Sequence, residues 1–289
     1  MDSSRLLRSV LFVPAVNARA LAKARTLDAD ALIVDLEDAV LPDQKIAGRA
    51  SAEAALAAGW VRPLVLRING LDTPWGAEDV QLVSRLPIEA VVLPKVEDPG
   101  ALRELSSALD RAGARPELRL WAMIETPRGV LGLEAIAAAT SRLEALVLGS
   151  NDLTRSLGAL ATAGREALQF SLGRLILVAR ALGLVALDGV HPGLDDPSGL
   201  EAACRQARSL GFDGKTLIHP QEIAIANRCF APSEADVATA ERIIAAFEEA
   251  ARAGKGVVLV DGKLIEPLHV DQARAVLERA SLIRKRAPN

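Results

Sequence analysis

Apolar residues between Ser9 and Ile218 gather into eight short runs rich in Val, Leu and Ile. Each is apolar on both faces, as strands of a parallel sheet covered on both sides are. The predicted strands are Ser9–Val13, Ala31–Asp35, Leu64–Ile68, Ala90–Leu93, Arg119–Ile124, Ala145–Leu148, Val185–Leu187 and Lys215–Ile218. Between them lie stretches with helical spacing: Ala18–Leu27, Gln44–Ala57, Ala77–Leu86, Pro99–Ala112, Gly129–Ala138, Glu166–Leu182 and Pro197–Leu210. Asn17, Asp98 and Asp196 stand at N-cap positions, and Pro127 and Pro220 follow strand ends, where a helix starts readily. Eight strands with seven intervening helical segments is the count of a closed (β/α)8 TIM barrel. An open doubly wound sheet has fewer strands and often a glycine-rich first turn. Neither Gly-x-Gly-x-x-Gly nor a P-loop occurs here.

The pattern breaks after Phe230. Ser233 is placed to cap a long helix reaching about Ala253, which Gly254-Lys255-Gly256 stops. Val257–Val260 reads as a short strand, Asp261-Gly262 as a turn and Leu268–Lys285 as a last helix. The expected organisation is a barrel over residues 1–230 and a C-terminal extension over 231–289, packing on the barrel or on a neighbouring subunit.

Composition narrows the class. The chain has 289 residues, 50% hydrophobic and 25% charged, with a net charge of -3, which is an ordinary globular balance. Acids and bases alternate without a basic patch, so no nucleic-acid partner is expected. No apolar stretch reaches the roughly 18 residues of a membrane span, so no membrane partner is expected either. Met1-Asp2-Ser3-Ser4-Arg5 precedes a run that reads as a first strand rather than a signal peptide. Cys204 and Cys229 are few and far apart, the usage of free thiols in a reducing cytoplasm.

The strand ends carry the chemistry. Glu125 and Asp152 each stand just past a strand, where barrels build active sites. Two such acids can share one hard cation, Mg²⁺ or Mn²⁺, which accepts one or two carboxylates and keeps waters and substrate oxygens. Taken singly, each acid reads equally as a helix cap or a partner for a local arginine such as Arg128. The three histidines lack zinc spacing. Asp35-Leu36-Glu37-Asp38 places three acids in four positions, which must be solvated, paired or used. Arg67 can grip a substrate carboxylate bidentately or neutralise Glu37. Lys95 reads as a Schiff-base lysine in principle, and more simply as an ion pair. His191 and His219 read as rim histidines.

These residues fall in landmarks that stand in order along the chain. They are Ser9-Val10-Leu11-Phe12-Val13-Pro14, Val34-Asp35-Leu36-Glu37-Asp38-Ala39-Val40, Leu66-Arg67-Ile68-Asn69 and Leu93-Pro94-Lys95. Ile124-Glu125-Thr126-Pro127-Arg128-Gly129, Gly149-Ser150-Asn151-Asp152-Leu153, Ala186-Leu187-Asp188-Gly189-Val190 and Leu217-Ile218-His219-Pro220 follow. With them the chain resembles the HpcH/HpaI aldolase–citrate lyase family, in its citrate lyase beta-subunit-like branch, from about Arg8 to the last helix. Each motif alone is weak; the ordered set is specific. The resemblance implies a TIM barrel with a C-terminal extension and a Mg²⁺-dependent carbon–carbon lyase acting on acyl-CoA thioesters. It implies Glu125 and Asp152 as metal ligands. It also implies Arg67 with Glu37 at the keto-acid carboxylate or the developing enolate, and backbone amides of Gly149, Ser150 and Asn151 at its other end. The keto acid would be oxaloacetate, pyruvate or glyoxylate. Homotrimers or hexamers are implied, with the C-terminal segment reaching a neighbour's site.

One departure stands out. Where the family carries Asp in a turn like Gly-x-Met-Ile-Asp, this chain reads Asp261-Gly262-Lys263-Leu264-Ile265-Glu266. Glu266 reaches about one methylene farther and can still serve as a general acid or base; His269 reads as packing or capping. The expected function is citryl-CoA cleavage to oxaloacetate and acetyl-CoA. The alternatives are a malyl-, methylmalyl- or citramalyl-CoA lyase or thioesterase, a free keto-acid aldolase, and a non-catalytic subunit of a lyase complex.

Overall fold

The computed structural model describes residues 5–57, 59–60, 62–254 and 256–286; the opening residues Met1 to Ser4 and the expected helix stop at Lys255 lie outside them. Eight parallel strands close into one barrel in sequence order. They are β1 (Ser9–Pro14), β2 (Ala31–Asp35), β3 (Leu64–Arg67), β4 (Ala90–Leu93), β5 (Arg119–Ile124), β6 (Leu143–Leu148), β7 (Val185–Asp188) and β8 (Gly214–Leu217). β1 pairs with both β2 and β8, which completes the ring. At the seam a Cβ on Gly214 would stand 1.7 Å from the Leu7 carbonyl oxygen, so only glycine lets the first and last strands meet here.

Alternation along each strand feeds two cores, which is why the runs read apolar on both faces. Val10, Ile33, Val65, Val92, Trp121, Met123 and Val147 fill the barrel interior. Their neighbours Leu11, Leu32, Leu66, Val91, Ala122 and Leu146 belong to the separate core shared with the helices. Continuing the interior series by two residues leads from Ile33 to Asp35, from Val65 to Arg67 and from Met123 to Glu125. The alternation that builds the core therefore delivers polar groups at its carboxyl end.

The caps behave as expected. Asn17, Asp98 and Asp196 accept hydrogen bonds from Ala20, Gly100 and Gly199 amides respectively, each worth about 1 kcal/mol. The differences are local. The helix expected over Gly129–Ala138 is two short ones, Pro127–Leu131 and Leu133–Ala137, broken at Gly132. The helix Ser150–Ser156 was not anticipated from its seven polar-rich residues.

The barrel, Leu7–Phe230, is one compact unit; a second begins at Ala231 and takes in Arg5 and Leu6. Within the second unit, helices Glu234–Arg252 and Pro267–Arg286 pack together. Ser233 caps the first through a reciprocal bond with Asp236. Val258–Val260 pairs antiparallel with Lys263–Ile265, a strand the sequence reading omitted. Among the described residues no helix is long and apolar enough to cross a membrane.

Candidate active site

β2 and β3 are paired with Asp35 opposite Arg67. That register lets the guanidinium use its bidentate face on Asp35, Nε to Oδ1 at 2.7 Å and Nη2 to Oδ2 at 2.6 Å. The remaining nitrogen, Nη1, lies 3.1 Å from Glu37 Oε2 and points at Met123 Sδ. The Phe12 ring covers the guanidinium at 4.9 Å. Of the two readings of Arg67, substrate fork or neutraliser of acids, the bidentate fork is therefore spent on Asp35, and only Nη1 faces Glu37. Burial works against the Arg67 charge, but the Asp35 bonds and the charges of Asp35 and Glu37 outweigh it and hold the cation.

Asp35 also accepts the Glu37 and Ala39 amides at 2.9 and 3.2 Å, which bends the chain just past β2. Lys45 fixes the same bend from below. Its buried Nζ donates to the Leu36 and Glu37 carbonyls, both at 2.8 Å, and to Asn69 Oδ1 at 2.6 Å. Asn69 is held in turn by Asp79 at 2.7 Å. Glu37 is thus carried on a loop whose Leu36 and Glu37 carbonyls and whose Glu37 and Ala39 amides are all engaged. Burial pushes its carboxyl above the ordinary range, aided by Asp38 and opposed by Arg67 and Lys95. For half-exposed Asp38, burial is outweighed by Arg67 and Lys95, which hold its carboxyl low.

Glu125 is 2% exposed. Oε1 accepts the Lys95 amide at 2.7 Å. Gly149 lies over the other oxygen: a Cβ there would stand 2.3 Å from Glu125 Cβ and 2.5 Å from Oε2. Burial pushes the Glu125 carboxyl up to about 7; Lys95 and Arg67 pull it down, and Glu37 and Asp152 push it further. Asp152 lies in the first turn of the Ser150–Ser156 helix, its side chain 23% exposed and paired with Arg155. Ser150 Oγ ties that turn to the Val190 carbonyl at 3.1 Å.

A cavity of about 360 Å³ is lined by Phe12, Arg67, Met123, Glu125, Gly149 and Asp152, with Ser150 and Asn151 also on its wall. Glu37 and Lys95 line a second space of about 630 Å³, which shares Asp38 with the first. The expected residues Glu37, Arg67, Glu125, Gly149, Ser150, Asn151 and Asp152 are thus brought to one end of the barrel. Glu266 is exposed in the second unit, where its amide donates to His269 Nδ1 at 3.0 Å, so His269 is a cap. His191 lies 3.4 Å from Asp196, and His219 accepts the Gln221 amide at 3.3 Å; both are rim histidines. Cys204 and Cys229 are buried and free. Asp35 and Lys45 were not among the expected site residues, whereas Lys95, expected as an ion-pair lysine, does pair with Glu37 and Asp38.

The donor set fits a hard cation. Glu125 is a buried carboxylate whose charge lacks sufficient local compensation, and Asp152 adds a second anionic oxygen donor. Among the described residues no group of three His, Cys, Asp or Glu encloses a metal position. Two carboxylates suit Mg²⁺, which takes one or two of them and fills its shell with water and substrate.

A closed (β/α)8 barrel with buried acids and a fixed arginine at the carboxyl ends of its strands has the layout on which barrel enzymes build their active sites. Residues 8–220 match the model of the HpcH/HpaI aldolase/citrate lyase family. The chain is 45% identical over 278 residues to a (3S)-malyl-CoA thioesterase of Cereibacter sphaeroides strain KD131, covering 96% of this chain and 95% of that protein. It is 34% identical over 286 residues to the citrate lyase subunit beta of Escherichia coli K12, at 96% and 95% coverage. Its fold superposes with a TM-score of 0.79 on CitE from Mycobacterium tuberculosis in complex with magnesium, acetoacetate and coenzyme A. That match has 31% identity over 94% of this chain and 97% of the other. The chain belongs to the HpcH/HpaI aldolase/citrate lyase family and is an enzyme of that family.

Proposed function

We propose that this chain is a Mg²⁺-dependent enzyme that cleaves a 3-hydroxyacyl-CoA thioester. The observation that carries this is the convergence of Arg67, Glu125 and Asp152 on one cavity, with Glu37 on Arg67. Glu125 and Asp152 would hold the cation, and Mg²⁺ supplies Lewis acidity to substrate oxygens. Arg67, anchored by Asp35, offers Nη1 to negative charge that develops on the thioester oxygen or keto-acid carboxylate. Glu37, its carboxyl raised by burial, suits a base for the substrate hydroxyl or for water. The Gly149 amide is given to the Ile124 carbonyl at 3.0 Å, which corrects its expected role, and the amides of Ser150 and Asn151 would meet the other end of the acid. Glu266 serves as acid or base from a neighbouring subunit in a homotrimer or hexamer.

The same groups serve two bonds. In lyase chemistry the hydroxyl loses its proton, the adjacent C–C bond breaks, and the electrons pass to the thioester as an enolate that is protonated at carbon. In hydrolysis, water adds to the thioester carbonyl, the C–S bond breaks and the thiolate takes a proton. The 45% identity to a (3S)-malyl-CoA thioesterase, against 34% to the citrate lyase subunit, favours malyl-CoA as substrate and hydrolysis as the reaction. Citryl-CoA cleavage, the expectation from sequence, is the second reading. Keto-acid and free-thiol release, followed separately on malyl-, citramalyl- and citryl-CoA with Mg²⁺ or EDTA, tests both. Thiol without keto acid supports hydrolysis, and keto acid from one ester supports the lyase. Turnover undiminished in EDTA overturns the metal dependence.

A further inference from the structure

Lys95 follows β4 with a backbone φ of +51°, one of three non-glycine residues held in the left-handed region among those described. That conformation costs a lysine roughly 1 kcal/mol or more. It aims the Lys95 amide at Glu125 Oε1, 2.7 Å away. A glycine would deliver the same amide with little strain. What a glycine lacks is the ammonium, and here Lys95 Nζ hydrogen-bonds Glu37 Oε1 and lies 3.6 Å from Asp38. One residue therefore holds two acids from different strands, one by its main chain and the other by its side chain. Left alone these acids repel each other, and Glu37 raises the Glu125 carboxyl through its charge.

We propose that Lys95 is a positioning residue that clamps Glu37 and Glu125 at a fixed separation, so that the base and the metal ligand meet the substrate together. The proposal rests on the function assigned above. Arg67 reaches Glu37 through Nη1 alone, because its other two nitrogens are held by Asp35. That contact and the Asp38 amide, at 3.1 Å, both fall on Glu37 Oε2, so Lys95 is what holds the other oxygen, Oε1, and fixes the turn of the carboxylate.

The test is a double-mutant cycle of Lys95→Met and Glu37→Gln, with Lys95→Gly and Lys95→Arg beside it. Methionine and glycine both keep the amide on Glu125, so calorimetry with Mg²⁺ alone should give a Kd within about threefold of wild type. Lys95→Met should lower kcat by about thirtyfold with KM changed less than about threefold, and Lys95→Arg should recover most of it. Added to Glu37→Gln, Lys95→Met should cost no further turnover, because it acts through Glu37. Losses that multiply, or Mg²⁺ binding that falls in step with turnover, would overturn the clamp. The cycle is repeated on urea midpoints, which need no substrate. If wild type turns over none of the esters, the functional reading fails, and the clamp is judged on that arm. Coupling between positions 95 and 37 then supports it, and independence overturns it.

Discussion

Replacing Glu125 by Gln should make the apo barrel more stable while removing its metal chemistry. Burial raises the Glu125 carboxyl from 4.5 to about 7. In the unfolded chain the group titrates near the lower value. Above about pH 7 it is ionised in both states, and the fold bears the full cost of an uncompensated buried charge. Below about 4.5 it is protonated in both, and that cost is gone. The difference corresponds to about 3 kcal/mol, at 1.36 kcal/mol for each pH unit. Glutamine is neutral throughout and keeps an oxygen for the Lys95 amide, so it removes the cost. For a barrel of this size that is roughly 6–12 °C in Tm. Melts of both proteins in EDTA at about pH 8 and about pH 5 measure it. The variant should melt higher at the first pH, and most of the gap should close at the second. Saturating Mg²⁺ should raise the wild type and leave the variant where it was. A variant that melts no higher than wild type at the higher pH, or a gap that ignores pH, would refute the reasoning.

Glu125→Ala and Asp152→Ala should each lower Mg²⁺-dependent turnover at least about a hundredfold with an unchanged circular dichroism spectrum; full turnover in both would remove the metal assignment. Arg67→Met strands Asp35 and Glu37 without their buried cation and should cost about 3–5 kcal/mol in urea unfolding, with Arg67→Lys intermediate because it keeps charge but loses the fork. Gly149→Ala pushes a methyl against Glu125 Cβ and Oε2 at a φ of -92° that alanine accepts. It should weaken Mg²⁺ about 10–100-fold by calorimetry and cost about 1–3 kcal/mol in urea unfolding, because the Glu125 Cβ cannot swing aside. Burial pushes the Cys204 thiol up to about 12, so iodoacetamide at about pH 8 should leave it unmodified in the native protein and alkylate it in urea. Labelling of the folded chain at Cys204 would contradict its placement.

The barrel was legible because its strands are apolar on both faces, and that pattern survives whatever the helices do. Strand ends fell within two residues of their expected positions, which was enough to place Glu37, Arg67, Glu125 and Asp152 at the same rim. The fate of the Arg67 fork was not legible, since it depends on the β2–β3 register. That register sets Asp35 opposite Arg67, and a shift of one residue would have freed the guanidinium for substrate. The Lys95 ion pair was legible, but Lys45 and the Lys95 main-chain contact to Glu125 were not, for a different reason. Lys45 acts on backbone carbonyls and Lys95 through its own amide, and no spacing rule in a linear sequence records where a main-chain group points.

The same distinction shows how the site is paid for. The charges that sequence reads well, Glu125 above all, are ones the fold holds at a cost. The groups it reads poorly, Asp35, Lys45 and the Lys95 amide, are those that hold the charged groups in place. Lys45 meets three acceptors at 2.6–2.8 Å and Asp35 meets four donors, so neither has a bond left to offer a ligand in this arrangement. Their burial is compensated locally by hydrogen bonds, whereas that of Glu125 calls for a cation. A buried acid short of compensation beside a fully bonded scaffold is the arrangement expected of a site preorganised for a metal ion rather than of a structural ion-pair network.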